Sequence, residues 1–299
     1  MSPIRIATRG SALAMAQARL AADALASLGE ETSLVIVETA GDRRKPDTAW
    51  GEGAFVKALE MAILDGRADV AVHSAKDVPT DEDARLAMAA YLPRADPRDA
   101  LVVESGTPTS VDDLPAGARV GTDSPRRAGF LLSHRPDLSV RPLHGNVDTR
   151  LRRLDAGEAD ALVLACAGLD RLGLEGRIAA RLDPEMLPPA AGQGAIALQV
   201  ARDDPRLLET LAAVDDRSTR MAVEAERALL AAAGGGCRAP IGVLAVAGEA
   251  TFDLLAGRVE PDGKDSRIRR RSAAREDAAA LVAALYAELW PAPLELEAV

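Results

Sequence analysis

Apolar residues along this chain switch repeatedly between two periods. Ile4 to Ala7 is a short apolar run that predicts a strand; the polar turn Thr8-Arg9-Gly10-Ser11 follows, then an Ala/Leu-rich segment through about Leu28 with helical spacing. Leu34 to Glu38 predicts a second strand. Phe55, Leu59 and Ile63 recur at helical spacing before Gly66, and Asp69 to His73 is the near-continuous apolar run of a strand covered on both faces. Ser74-Ala75-Lys76-Asp77-Val78-Pro79 lies at its carboxyl end. Strand, polar turn and helix in succession predict an α/β sheet. Between these elements, Ala40 to Gly53 is rich in Gly, Pro and charge and predicts a long loop, equally suited to a lid or to a merely solvated segment. Leu92 to Asp99, broken by Pro93 and Pro97, predicts a crossing to another domain.

Beyond that crossing the pattern repeats. Gly66-Arg67-Ala68-Asp69-Val70-Ala71-Val72 is echoed by Gly157-Glu158-Ala159-Asp160-Ala161-Leu162-Val163, and Ala7-Thr8-Arg9-Gly10-Ser11 by Gly121-Thr122-Asp123-Ser124-Pro125. Two echoes in the same order predict two similar α/β domains facing a cleft lined by strand-end loops. From Val223 to Ala233 an alanine-rich helix leads into Gly234-Gly235-Gly236-Cys237. Strands near Ile241 to Val246, Phe252 to Val259 and Ser266 to Arg271 and a helix from about Glu276 to Leu289 predict a smaller α+β domain that carries the cysteine to the cleft.

The chain has 299 residues, 48% of them hydrophobic, enough for more than one core; aromatics at 2% leave aliphatic side chains to fill them. A net charge of -10 and few stacking rings argue against a nucleic-acid partner. No apolar run approaches the ~18 residues of a membrane helix, and the N-terminus lacks a signal-peptide pattern, so a soluble cytoplasmic protein is expected. Cys166, placed in an apolar strand, and Cys237 are expected to stay reduced. His73, His134 and His144 show no metal-ligand spacing, so no metal site is predicted; no Walker A sequence occurs, and Gly51-Glu52-Gly53 lacks the rest of a dinucleotide fingerprint.

Candidate chemistry rests on a few residues. Arg9, Arg126, Arg127, Arg150 and Arg171 fall at strand-end loops or helix starts of the echoed halves, where converging guanidiniums would bind a ligand with many carboxylates; singly, each reads equally as a surface ion pair. Asp77, after a buried strand and beside Lys76, suits proton transfer or stabilisation of a developing cation, or caps a turn. Ser11 and Ser124 are possible donors to a ligand. Cys237, flanked by three glycines and Arg238, is either an attachment point with clearance for a bulky group or a small buried residue past a helix cap.

In order along the chain stand Ile6-Ala7-Thr8-Arg9, Phe55-Val56-Lys57, Val72 to Pro79, Asp96-Pro97-Arg98-Asp99, Gly121-Thr122 with Arg126-Arg127, Gly145-Asn146-Val147 with Thr149-Arg150-Leu151, Pro189-Ala190 with Gly192-Gln193-Gly194, and Gly235-Gly236-Cys237. From about Ile4 to beyond Pro240 this set resembles the porphobilinogen deaminase, or hydroxymethylbilane synthase, family. The resemblance implies periplasmic-binding-protein-like domains over residues 1–94 with 195–214 and over 98–190, a third domain over 217–299, and a monomer. It implies a dipyrromethane cofactor joined by a thioether to Cys237, to which porphobilinogen units are added with loss of ammonia until hydroxymethylbilane is released by hydrolysis. Asp77 takes the catalytic role; Lys76, Asp77, Ser124, Arg126, Arg127 and Arg150 bind the cofactor; Arg9, Ser11, Arg150, Arg171 and Gln193 bind substrate. Three positions depart from the pattern: His144 stands where arginine is usual, which makes one carboxylate clamp weaker or dependent on imidazole protonation, Glu52 where many relatives carry lysine, and Asp123 where a small hydroxyl residue is usual. The competing readings are a non-catalytic two-domain binder of a small polycarboxylate, which has no need of the glycine-flanked cysteine, and a cysteine-nucleophile enzyme, for which no partner histidine is proposed by the spacing.

Overall fold

The computed structural model describes residues 2–38, 53–104, 108–236 and 238–291. The opening apolar run forms β1 (Ile4–Thr8), after which Ser11 caps α1 (Ala12–Ala26) by accepting from Ala14 N. β2 (Thr32–Ile36), α2 (Ala54–Leu64), β3 (Val70–Ser74) and β4 (Leu86–Tyr91) follow. The chain then crosses into β5 (Asp99–Val102), β6 (Arg119–Gly121), α3 (Pro125–His134), β7 (Ser139–Arg141), α4 (Val147–Asp155), β8 (Ala161–Ala165), α5 (Cys166–Arg171) and β9 (Ile178–Arg181). It returns through β10 (Ile196–Ala201) and α6 (Pro205–Ala212), and ends with α7 (Arg217–Ala232), β11 (Ile241–Ala247), β12 (Thr251–Arg258), β13 (Arg267–Ala274) and α8 (Ala278–Leu289).

Two five-stranded sheets share one topology: β2-β1-β3-β10-β4 and β7-β6-β8-β5-β9, each with its fourth strand antiparallel to both neighbours. The sequence echo has a side-chain counterpart. Arg5 donates its backbone N–H, Nε and Nη2 to Asp69, and Arg119 makes the same three bonds to Asp160, so each pair ties its sheet's central strands at the end away from the cleft. The fold is thus two similar α/β domains plus a smaller α+β domain, the antiparallel sheet β11-β12-β13 covered by α7 and α8. Aliphatic side chains fill the cores: Ile4, Ile6, Val70 and Leu198 in the first sheet, Leu101, Val120 and Val163 around Phe130 in the second, Val243, Leu254 and Leu285 around Phe252 in the third.

Some boundaries differ from those the periodicity predicts. α1 stops at Ala26 instead of Leu28. β2 starts two residues earlier than Leu34, in register with Ile4 through Thr32. α7 starts at Arg217, because its first turn is polar and is fixed by Asp216, which accepts from Thr219 N at 2.7 Å, so no apolar stripe marks it. Cys166 is not within a strand; it opens α5, with its N–H on Arg98 O.

The return from the second domain to the first needs glycine. Gly192 (φ 74°) passes so near the backbone of Ala75 and Lys76 that a Cβ would sit 3.1 Å from it, and a Cβ on Gly194 (φ 89°) would meet Ala95 O at 2.5 Å. Glu226 of α7, fully buried, pins this turn to the third domain: it accepts from Gly192 N (2.6 Å), Ala245 N (2.7 Å) and both Nη atoms of Arg94 (2.6 and 3.1 Å).

Beneath the first sheet's cleft edge, buried His73 meets Gln199 Oε1 through Nε2 at 3.0 Å, and Gln199 Nε2 donates to Glu60 at 3.2 Å. Burial, opposed by the Gln199 bond, pulls the imidazole from 6.5 to about 4. A folded value below the unfolded one means the unfolded chain binds the proton first, so this contribution is whole above 6.5 and is lost as pH falls toward 4. Urea unfolding should show stability falling by up to about 1.4 kcal/mol per pH unit in that window, and His73→Gln should flatten that slope. Equal slopes in both proteins would contradict it.

Candidate active site

The carboxyl ends of β1, β3 and β8 and the start of α4 converge on a cleft between the two α/β domains, enclosing a cavity of about 250 Å³. On its wall lie Arg9, Ser11, Lys76, Asp77, Arg127, Arg150 and Arg171, seven of the residues singled out from the sequence. Cys237, Glu52 and most of the predicted 40–53 loop lie outside the described residues. Ser124, Arg126 and Gln193 are not on the cavity wall.

Two of them, Arg126 and Gln193, stand behind the wall instead, around Asp99, the first residue of β5 and fully buried. Arg126 Nη1 donates to Asp99 Oδ2 (2.7 Å) and to Pro188 O (2.6 Å). Arg127 Nε and Nη2 both reach Asp99 Oδ1 (3.0 and 2.7 Å), and its Nη1 donates to Val163 O (3.0 Å). Gln193 Nε2 donates to the same Oδ1 (2.9 Å) and to Pro97 O (2.7 Å), while its Oε1 accepts from Lys76 Nζ (3.3 Å). Lys76 of the first domain is thereby linked through Gln193 and Asp99 to Arg127 of the second. Ser124 caps α3 by accepting from Arg127 N. Two arginines in the first turn of α3 oppose the helix dipole, and one carboxylate compensates both. Burial alone would raise the Asp99 carboxyl, but Arg126, Arg127 and Gln193 outweigh it and hold it far below the usual carboxylate range.

The wall carries more positive than negative charge. Arg9, Lys76, Arg127, Arg150 and Arg171 face only two wall carboxylates, Asp77 and Asp148, in a chain of net charge -10. Burial, with Arg127 nearby, pulls the Lys76 ammonium down to about 8, and burial brings Arg171 to about 10 against the opposing pull of Asp170. Arg171 Nη2 donates to Gly194 O at 2.6 Å, on the turn that joins the domains. Lys76, Arg150 and Arg171, each pulled down by burial, are cations that an anionic ligand would stabilise, although Asp99 and Asp123 already pair with Arg127 and Arg150. Asp77 closes a 3₁₀ turn after β3, exposed at the cavity. Gln17 of α1 donates to Ser74 Oγ (2.8 Å), bracing the strand end ahead of that turn.

Sequence reasoning gave no role to Asp99, although a carboxylate opening an otherwise apolar strand is a signal that it has a buried partner. It left Asp123 without an account as well. In the structure Asp123 receives Arg150 Nη2 at 2.8 Å and has His144 Nδ1 2.8 Å from its other oxygen, so two of the departures from the family pattern face each other. Cys166 is buried beside this cleft, and burial pushes its thiol up to about 12, which marks it as packing.

Two similar α/β domains that face each other across a cleft lined by arginines and Lys76 are the class of fold and site that suits small anionic ligands. The family model "Porphobilinogen deaminase, dipyromethane cofactor binding domain" matches residues 4–209, and "Porphobilinogen deaminase, C-terminal domain" matches 220–290. Among similar chains, the porphobilinogen deaminase of Acidothermus cellulolyticus is 46% identical over 97% of this chain and 89% of its own length, and that of Mycobacterium leprae 50% identical over 81% and 76%. A periplasmic substrate-binding protein from Coxiella burnetii superposes with a TM-score of 0.45 at 15% identity, covering 73% of this chain and 94% of its own. The chain belongs to the porphobilinogen deaminase family.

Proposed function

We infer that this chain is a transferase that joins four porphobilinogen units head to tail, with loss of ammonia, onto a dipyrromethane primer and releases linear hydroxymethylbilane by hydrolysis. The observation that carries this is the convergence of Arg9, Lys76, Arg127, Arg150 and Arg171 on one interdomain cleft, because each pyrrole of the substrate bears an acetate and a propionate. The same donor set fits the carboxylates of a dipyrromethane. When bound, that group supplies the pyrrole carbon to which the next unit is joined.

Lys76, Arg127 and Arg150 hold cofactor carboxylates; Arg9, Ser11, Arg171 and, in its turn, Arg150 hold those of the incoming unit. Arg126, Gln193 and Ser124 act from behind, through Asp99 and the start of α3, as positioning residues. The Asp77 carboxylate stabilises positive charge developing on a pyrrole nitrogen and accepts the proton released there. Cys237 is the attachment point: α7, pinned by Glu226, ends in a glycine cap with Gly234 at φ 65°, three residues before it in the sequence. A monomer and the cytoplasm are the expected state and compartment. The non-catalytic binder loses its support, since both family-model matches are to deaminase domains and a binder has no use for Cys237. The test is the mass of the intact chain, in which a pyrrole adduct should be present and should be absent from Cys237→Ser.

A further inference from the structure

Asp123, in the loop between β6 and α3, and His144, in the loop between β7 and α4, touch across the edge of the cleft beside Arg150. Arg150 is held by Nε on Gly145 O (2.7 Å) and by Nη2 on Asp123 Oδ2 (2.8 Å). The other oxygen of Asp123 is shut from solvent and accepts no hydrogen bond among the described residues. The group beside it is His144 Nδ1, 2.8 Å away at ion-pair distance but off the line of a hydrogen bond. Remaining charges around the pair are accounted for. Arg153 of α4 donates to His144 O (3.4 Å) and pairs with Glu158; Asp148 pairs with Arg152; Arg127 at the start of α3 is committed to Asp99; Arg141 of β7 is bonded to Ser139.

With a neutral imidazole, Asp123 cancels Arg150 and the subsite carries no net charge. With the imidazole protonated, the same three side chains carry +1, the charge one ligand carboxylate requires. We propose that His144 and Asp123 form a proton-taking counter-charge to Arg150, so that a ligand carboxylate binds there together with a proton on His144. The proposal deepens the reading of the cleft as a carboxylate receptor and rests on it. His144 is therefore a positioning residue, and Asp123 the fixed charge that lies between it and Arg150.

The test is the Michaelis constant for porphobilinogen from about pH 6 to about pH 8.5 in the holoenzyme, His144→Gln, His144→Arg, Asp123→Ser and Arg150→Gln, with thermal unfolding to show each is folded. The substrate's own ionisations are common to all five. In the wild type the constant should rise about tenfold more across that range than in His144→Gln, as an imidazole gives up its charge. His144→Arg, whose charge is permanent, should stay low throughout, and Asp123→Ser should lose most of the pH dependence. Coincident profiles for wild type and His144→Gln, with Arg150→Gln clearly weakened, would overturn this proposal alone. An unchanged constant in Arg150→Gln would overturn it together with the reading on which it rests.

Discussion

Asp77→Ala is expected to fold as the wild type does and to turn over porphobilinogen about 10²- to 10⁴-fold more slowly. The side chain is exposed at the cavity and its carboxylate makes no hydrogen bond among the described residues, so its removal leaves no buried group unpaired. What it removes is one of two carboxylates on a wall that also carries Arg9, Lys76, Arg127, Arg150 and Arg171, and with it the group placed to meet positive charge as it develops. The loss should fall on kcat, with KM changed little, because Arg9, Arg150 and Arg171 still hold the substrate's carboxylates. Asp77→Asn should be similarly slow, since an amide neither carries the charge nor takes the proton. Turnover near the wild-type rate in either variant would remove Asp77 from the mechanism.

The second large effect is on stability. Asp99→Ala strands two buried guanidiniums, Arg126 and Arg127, that share this one carboxylate, and frees Gln193 from one of its two acceptors. Breaking a buried pair by removing one partner costs about 3–5 kcal/mol, and here the orphaned charges number two. Urea unfolding of the second domain should show at least that loss. Asp99→Asn, which keeps an acceptor but not the charge, should recover part of it. Since Lys76 reaches Asp99 through Gln193, both variants should also weaken substrate binding; a fully stable Asp99→Ala would mean that Arg126 and Arg127 find other partners.

Much of the architecture was legible because hydrophobic period and turn chemistry agree locally. The apolar run of β3 and the paired echoes, whose Asp69 and Asp160 hold Arg5 and Arg119 alike, are short-range signals with direct physical causes, whereas the caps made by Ser11 and Ser124 were not read from the sequence. The start of α7 was hidden because a polar first turn held by a capping aspartate carries no apolar stripe. In the cleft, positions at strand ends were legible, and seven of the residues singled out do share one wall. What each side chain does there was not, because it depends on contacts made far along the chain. Arg126 and Arg127 look alike in sequence, yet only Arg127 lines the cavity, while Arg126 is turned to Asp99 and Pro188. Asp123 looked anomalous until His144 and Arg150 stood on either side of it.

The central claim is that Cys237 anchors a pyrrole primer whose carboxylates the cleft receives, and the mass of the intact purified chain tests it most directly. The wild type should exceed its sequence mass by two porphobilinogen-derived pyrrole units, and Cys237→Ser should show the bare sequence mass and no turnover. A fully active wild type at its bare sequence mass, or an adduct that survives in Cys237→Ser, would contradict it.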